Sequence, residues 1–406
     1  MRPGVDLLGL RGSASVSADR RLREGDAPGA EAGKALDMQS AVISVVALVV
    51  GVLIGIYLIP KTPMPDPPGP DIATETRGTG YAANPLGQPV AWRMASLLPR
   101  RLAPLGAGFG TRLSAATAGN ITIDFREAVA DVPVTDLFEA VADGDYDAAW
   151  LHPGYHAARE PALALFSGAP FGPGAGELLA WLDRGGGGRL MDEIYAGFGL
   201  KALPCGIAPP EGGGWFREKI TGPDDLAGRT MRIHGLGARV VEKLGVETVS
   251  LAAPDIYPAF ELGTIDAAEF SAPATDRELG LEEFARHYYF PGWQRQTGLL
   301  ELLVSLETWS ALSDPQRAAI ELACGDNIRT GLAAGEARQA AALTELRDMG
   351  VETHRWPPAL LERLREAWNE VADELAADDP TFAKVWESYT KFRAGYRDWD
   401  RLGYLD

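Results

Sequence analysis

Cysteine, histidine and basic side chains are what this 406-residue sequence holds least of, with two Cys, five His and 38 Lys plus Arg against 56 Asp plus Glu. Cys205 and Cys324 stand far apart, without a second cysteine or a nearby histidine at zinc-ligand spacing, so a structural zinc module is excluded. They leave two readings open: a disulfide in an oxidising compartment, or two buried thiols. A net charge of −18 excludes nucleic acid as a partner, because affinity there rests on Lys and Arg neutralising phosphates. The acid excess itself speaks of solubility rather than chemistry. The sequence also lacks G-x-S-x-G, H-E-x-x-H and G-x-x-x-x-G-K-[ST]. "RGGGGR" at 184–189 has no Lys-Ser/Thr pair and reads as a turn between helices, and Gly235-x-Gly237 misses its third glycine at Val240. His152 and His156 are four apart, but Pro153 and Gly154 between them interrupt the helix an i, i+4 metal pair needs. No enzyme is expected from these absences.

One long apolar run is present. Ala41–Ile59, "AVISVVALVVGVLIGIYLI", is 19 residues without a charge, and about 1.5 Å per residue carries it across one hydrocarbon core. It exceeds a secretory h-region, and no A-x-A site follows it, so residues 38–60 read as an uncleaved transmembrane signal anchor. Residues 1–37 hold six Lys/Arg, against only Lys61 and Arg77 in the twenty residues after the span. The N-terminus is therefore expected inside, as a disordered cytoplasmic segment, with everything beyond residue 60 exported. Residues 61–89, rich in Pro and Gly, read as a tether.

From Trp92 onward short apolar runs alternate with helical patterns. "WRMAS", "ITIDF" and "YDAAWL" are strand-like and "VTDLFEAVADG" is helical; the rhythm resumes at "LKALPC", "GGWF", "TMRIHG", "ETVSL" and "DAAEF". This predicts an α/β protein of two lobes over residues 90–406. A capping-box start at Ser313–Gln316 opens a helix running to about Met349, long enough to brace both lobes, although glycines 325, 331 and 335 weaken it. In 381–399, Phe382, Val385, Trp386, Tyr389, Phe392, Tyr396 and Trp399 recur every three or four residues, a stripe for packing on its own domain or for a subunit contact.

Arg232 is the charged residue whose position suggests a ligand. It sits in the strand "TMRIHG" just before a helix expected at 238–244, and in open α/β sheets ligands collect beyond the carboxyl ends of strands, near helix N-termini. A guanidinium there can grip a carboxylate through two charge-assisted hydrogen bonds. Glu269 and Glu211 are surface acids by default; were both to meet Arg232 in one cleft, the balance would suit a cation beside an organic acid.

"GGWFREKI", "DDLAGRTMRIHGLGARVVEKLGVE", "DIYPAFELGTIDAAEF" and "HYYFPGW" resemble the DctP-type solute receptors of TRAP transporters, nearest the branch that handles 2-oxo and hydroxy acids. "FEAVADGDYD", "PALALFSGAPFG" and "ADELAADDPTFAKVWESYTKFR" extend the match over roughly residues 90–400. The resemblance implies a periplasmic-binding-protein-like fold with a long bridging helix and a helical C-terminus. It also implies a receptor that delivers a small carboxylate to a membrane permease, and a homodimer clasped by C-terminal helices. It assigns the carboxylate-gripping arginine to Arg232, the first-lobe aromatic to Tyr155, the acid and aromatic after "ID" to Glu269 and Phe270, and the family's glutamine to Glu211. Phe270 stands for a tryptophan and so loses an N–H donor; Glu211 adds negative charge where relatives hold a metal ion and substrate. Glu211, Glu269 and Phe270, the last through a backbone carbonyl, are then expected to hold Ca²⁺, or Na⁺, bridging to the substrate. The expected place is the periplasm, anchored to the inner membrane. A membrane-anchored sensor of the same fold, reporting to a partner, is the alternative. Replacing Arg232 by Ala should abolish ligand binding and leave the unliganded melting point nearly unchanged.

Overall fold

The computed structural model describes residues 86–96, 98, 103–127 and 137–404. The expected cytoplasmic segment 1–37, the span 38–60 and the tether up to residue 85 lie outside them. Among the described residues, no helix is long and apolar enough to cross a membrane. Residues 86–88 are tied to the domain: Ser313 Oγ donates to the Leu86 carbonyl at 2.9 Å, Asn120 Nδ2 to Gly87 O at 3.1 Å and Gln316 Nε2 to Gln88 O at 2.8 Å.

In chain order the elements are β1 (Val90–Ser96), α1 (Ala103–Ala116), β2 (Ile121–Glu127), α2 (Leu137–Ala142), β3 (Ala148–Leu151), α3 (Leu163–Phe166), α4 (Ala175–Arg184), α5 (Gly187–Ala196) and β4 (Leu200–Ala208). Then come β5 (Gly214–Phe216), β6 (Thr230–Arg232), α6 (Gly235–Glu242), β7 (Glu247–Val249), α7 (Ala253–Glu261), β8 (Ala267–Ala268), α8 (Pro273–Asp276) and β9 (His287–Phe290). The chain ends with β10 (Gly298–Ser305), α9 (Leu306–Ala311), α10 (Asp314–Asp348), β11 (Glu352–Arg355), α11 (Pro358–Asp378) and α12 (Pro380–Gly403).

Two sheets define two α/β lobes. The first has the order β2-β1-β3-β10-β4 and the second β11-β9-β5-β8-β6-β7. β1, β2 and β3 run parallel, whereas β10 is antiparallel to both its neighbours. The chain therefore leaves the first lobe after β4, builds most of the second, and returns through β10. β3 and β10 lie in the middle of their sheet and are almost wholly buried, which is why they read as continuous apolar runs; β1, with Trp92 and Met94 buried on either side of exposed Arg93, alternates.

Helix α10 is continuous over 35 residues, about 52 Å, opened by Ser313, whose side chain accepts from Gln316 N. The glycines that weaken it in sequence have a packing role. A Cβ on Gly331 would come within 3.1 Å of the Ile207 carbonyl, and one on Gly335 within 2.8 Å of the Pro209 ring, so the backbone leaving β4 lies directly on the helix. Farther along, Gln339 Oε1 accepts from Ala274 N in α8 at 3.0 Å, so the same helix touches both lobes. Cys205 in β4 and Cys324 in α10 form a disulfide, with Cα atoms 4.2 Å apart, which decides between the two readings left open by spacing.

The aromatic stripe divides. Phe382, Val385 and Tyr389 are buried, with Tyr389 edge-on to Trp181 and Trp386 edge-on to Trp368. Trp399 at the far end is 58% exposed, beside exposed Leu402 and Tyr404.

Candidate functional site

Arg232 is the last residue of β6, and its register partner on parallel β8 is Ala268. The next residue, Glu269, is therefore placed beside it at the carboxyl ends of two parallel strands, and Glu269 N donates to Arg232 O at 2.8 Å. Helix α6 begins at Gly235, three residues before the expected 238, which brings its N-terminus closer to Arg232. The arginine is 5% exposed rather than on a solvated face. Its Nη1 donates to the Glu269 carbonyl and lies 3.4 Å from Glu269 Oε2; its Nε donates to Leu251 O at 3.1 Å. Its guanidinium carbon stands 5.1 Å from the centre of the Phe270 ring, a cation–π contact. This bonding corrects one expectation. Removing Arg232 would leave Glu269 and two carbonyls short of a donor, so the unliganded protein must lose stability as well.

Glu211 reaches the same place from the other side. β5 is antiparallel to β8, so the segment entering β5 meets the segment leaving β8, and Gly212 N donates to Ser271 O at 2.9 Å. This entry is one of two strand crossings between the lobes, distinct from the long helix α10, and it pairs with the other, between β9 and β10: Glu211 N donates to Arg295 O and Gly292 N to Glu211 O. Gly212 and Gly292 are required by closeness, since a Cβ on the first would fall 2.2 Å from the Tyr288 hydroxyl and one on the second 2.4 Å from Glu211 O.

The paired crossings bring in a residue the sequence reading missed. Arg295 Nη1 donates to Glu211 Oε1 at 3.0 Å, giving the site a second guanidinium. The available signal was a polar pair, Gln294 and the charged Arg295, directly after "HYYFPGW" in a run joining two apolar strands. Tyr155 comes from the first lobe, on the 3₁₀ turn Pro153–His156 that follows β3. Burial raises its phenol above the usual range, and the charges of Arg295, Arg232, Glu211 and Glu269 all act on it. The structure thus brings together all five residues singled out in the sequence.

Burial dominates the electrostatics. It pushes Glu211 up to about 8, opposed by the Arg295 guanidinium and reinforced by the nearby Glu269 carboxylate. Glu211 is therefore largely protonated near neutrality. Asp276, behind the two carboxyls, accepts from Trp215 Nε1 at 3.0 Å and Tyr288 O–H at 2.8 Å and is raised by burial to about 7. Two guanidiniums thus stand beside a Glu211 that is largely neutral near pH 7, which leaves the site attractive to an anion.

The donor set also fits a hard cation. Glu211 and Glu269 offer carboxylate oxygens, and Gln294, whose Nε2 donates to Gly212 O at 2.7 Å, keeps its Oε1 buried without a hydrogen-bond partner. Beside the cluster is a cleft of about 320 Å³ bounded by Tyr155 and Arg295, by the turn around Gly154, and by Gly235 and Leu236 at the start of α6. Arg232, Glu211, Glu269 and Phe270 do not form its walls. Of the cluster's residues, Tyr155 and Arg295 line the cleft, whereas Arg232 and both carboxyls are buried behind it.

Two α/β lobes with charged side chains gathered between their strand crossings are the architecture of periplasmic-type solute receptors. The model of the DctP family, bacterial extracellular solute-binding protein family 7, matches residues 106–379. The chain belongs to this family of extracytoplasmic receptors, which are not enzymes. A curated relative, the monocarboxylate 2-oxoacid-binding periplasmic protein of a Nostoc species, is 33% identical over 318 residues, 78% of this chain and 87% of its own. A TRAP transporter solute-binding protein from Bordetella bronchiseptica, solved as a mixed-occupancy dimer with copurified calcium and picolinate, superposes with a TM-score of 0.74. It is 31% identical, covering 78% of this chain and 95% of that one. A TRAP periplasmic protein from Pseudoalteromonas atlantica with bound sodium and pyruvate gives a TM-score of 0.73 at 26% identity, over 78% and 97% of the two chains.

Proposed function

We propose that this chain is the receptor of a TRAP transporter for a small 2-oxo or hydroxy monocarboxylate, which it hands to the membrane permease. The observation that carries this reading is the pairing of two guanidiniums, buried Arg232 and half-buried Arg295, with the Glu211–Glu269 pair, next to a cleft suited to a ligand of a few heavy atoms. Arg232 grips the carboxylate, Phe270 supplies a flat apolar wall, and the Tyr155 hydroxyl reaches the ligand from the first lobe. Glu211, Glu269 and the Phe270 carbonyl hold a hard cation, which supplies positive charge toward the ligand's oxygens when bound. Calcium and sodium in the relatives' sites, together with pyruvate or picolinate, support the assignment. Because Arg232 is sealed, the lobes part about the two crossings to admit the ligand.

The finer organisation belongs to the same proposal. Residues 1–37 are cytoplasmic, 38–60 anchor the chain in the inner membrane, and 61–89 tether the binding domain 90–406, so that the receptor searches near its permease. Trp399, Leu402 and Tyr404 at the end of α12 form the contact of a homodimer. A melting screen of pyruvate, lactate and 2-oxobutyrate, each with and without Ca²⁺, tests the central claim. Binding at 100 times Kd stabilises by about 2.7 kcal/mol. Stabilisation by none of these acids in either condition would refute it.

A further inference from the structure

Among the described residues outside the cleft, one group of side chains has the chemistry and spacing of a metal site. β9 and β11 are parallel neighbours, with Glu352 opposite His287 and His354 opposite Tyr289. Glu352 and His354 are two apart on β11 and so project to one face, which the register shares with His287. Their ligand atoms are mutually close: His287 Nδ1 is 3.0 Å from His354 Nε2 and 3.7 Å from Glu352 Oε2, and His354 Nε2 is 3.5 Å from the same oxygen.

These separations decide the reading. A tetrahedral ion with ligands at about 2.0–2.1 Å holds them about 3.3–3.4 Å apart, and the three distances bracket that value. We propose that His287, His354 and Glu352 form a site for a borderline divalent transition metal, of which Zn²⁺ is the natural probe. Two imidazoles and one carboxylate suit zinc, copper or nickel and not calcium, so the site differs in kind from the all-oxygen cluster of the cleft. The imidazoles are partly preorganised. The His354 ring stacks on Tyr289 at 4.9 Å, and Tyr289 is itself fixed through its hydroxyl, which donates to Ile220 O at 2.9 Å and accepts from Ile220 N at 2.7 Å. Glu352 is 62% exposed, which leaves the fourth position to water. Lys219 is the opposing charge, acting on His354 from nearby. β11 is the edge of the second sheet, and β9 runs directly into the crossing that carries Gln294 and Arg295. A bound ion would fasten the edge strand to the strand that leads into the ligand site.

The test is a Zn²⁺ titration of the untagged full chain, with Ca²⁺ saturating, read by competition with a chromophoric chelator. One equivalent should bind at micromolar Kd or tighter. His354→Gln or His287→Gln should weaken it about 100-fold, and Glu352→Gln at least about tenfold. Glu211→Gln, in the carboxylate pair beside the cleft, should leave it unchanged. Glu352 is exposed, so its variant keeps the fold and guards against a trivial loss. Affinity weaker than about 100 μM, or affinity indifferent to Glu352→Gln and His354→Gln, would mean that the imidazoles merely hydrogen-bond each other and would overturn the proposal.

Discussion

Cation capture in the cleft should release a proton, and the amount follows from Glu211. With its carboxyl pushed up to about 8 by burial and by the neighbouring Glu269, the group is roughly nine-tenths protonated at pH 7. A cation held by both carboxylates requires Glu211 to ionise, so Ca²⁺ binding at pH 7 should release about 0.9 proton. The same coupling sets the affinity. Below about pH 8 each unit of acid weakens Ca²⁺ binding tenfold, about 1.4 kcal/mol, and above about pH 9 the affinity levels off. Calorimetry of Ca²⁺ binding in two buffers of different ionisation enthalpy reads the proton directly. In Glu211→Gln, which restores the amide that the family resemblance places there, release and pH dependence should both vanish. Release below about 0.2 proton in the unaltered chain, or an affinity flat from pH 6 to 8, would refute the protonated Glu211 and its role as a cation ligand.

Arg232→Ala should remove organic-acid binding and also destabilise the unliganded protein by about 3–5 kcal/mol, because it breaks a buried pair; an unchanged melting temperature without ligand would contradict the bonding described. Joint replacement of Cys205 and Cys324 by Ser opens a loop spanning 119 residues, so up to about 4–5 kcal/mol should be lost and the melting temperature should stop responding to reductant. Glu301, fully buried with Tyr195 donating at 2.7 Å, is raised by burial from 4.5 to about 8. Its folded value lies above its unfolded one, so its contribution is intact below about 4.5 and is lost as pH rises through about 8, by ~5 kcal/mol at most. Melting temperature should therefore fall less steeply between pH 5 and 8 in Glu301→Gln than in the unaltered chain, and equal slopes would reject the assignment.

The two-lobe architecture, the long helix and the strand carrying Arg232 were legible in the sequence because each depends on local patterning. Apolar period, a capping box and turn glycines are written within a few residues of the elements they specify. Arg232 could be named from its place at a strand end before a helix, whereas Glu269, Glu211, Phe270 and Tyr155 took their roles from the family resemblance of the motifs that hold them. Their company could not be named. Arg295 faces Glu211 across 84 positions of chain, and only the antiparallel pairing of the two crossings brings them together. The fate of Cys205 and Cys324 likewise waited on the packing of α10 against β4. Glycines 331 and 335 looked like weaknesses until Ile207 and Pro209 were found lying against them. His287, Glu352 and His354 carry no motif spacing at all, and their nearness exists only in the register of β9 with β11. Sequence fixed the elements through short-range sterics and hydrophobic period; charge pairing, shifted protonation and ligand geometry depend on distances between remote segments, and those the tertiary fold alone decides.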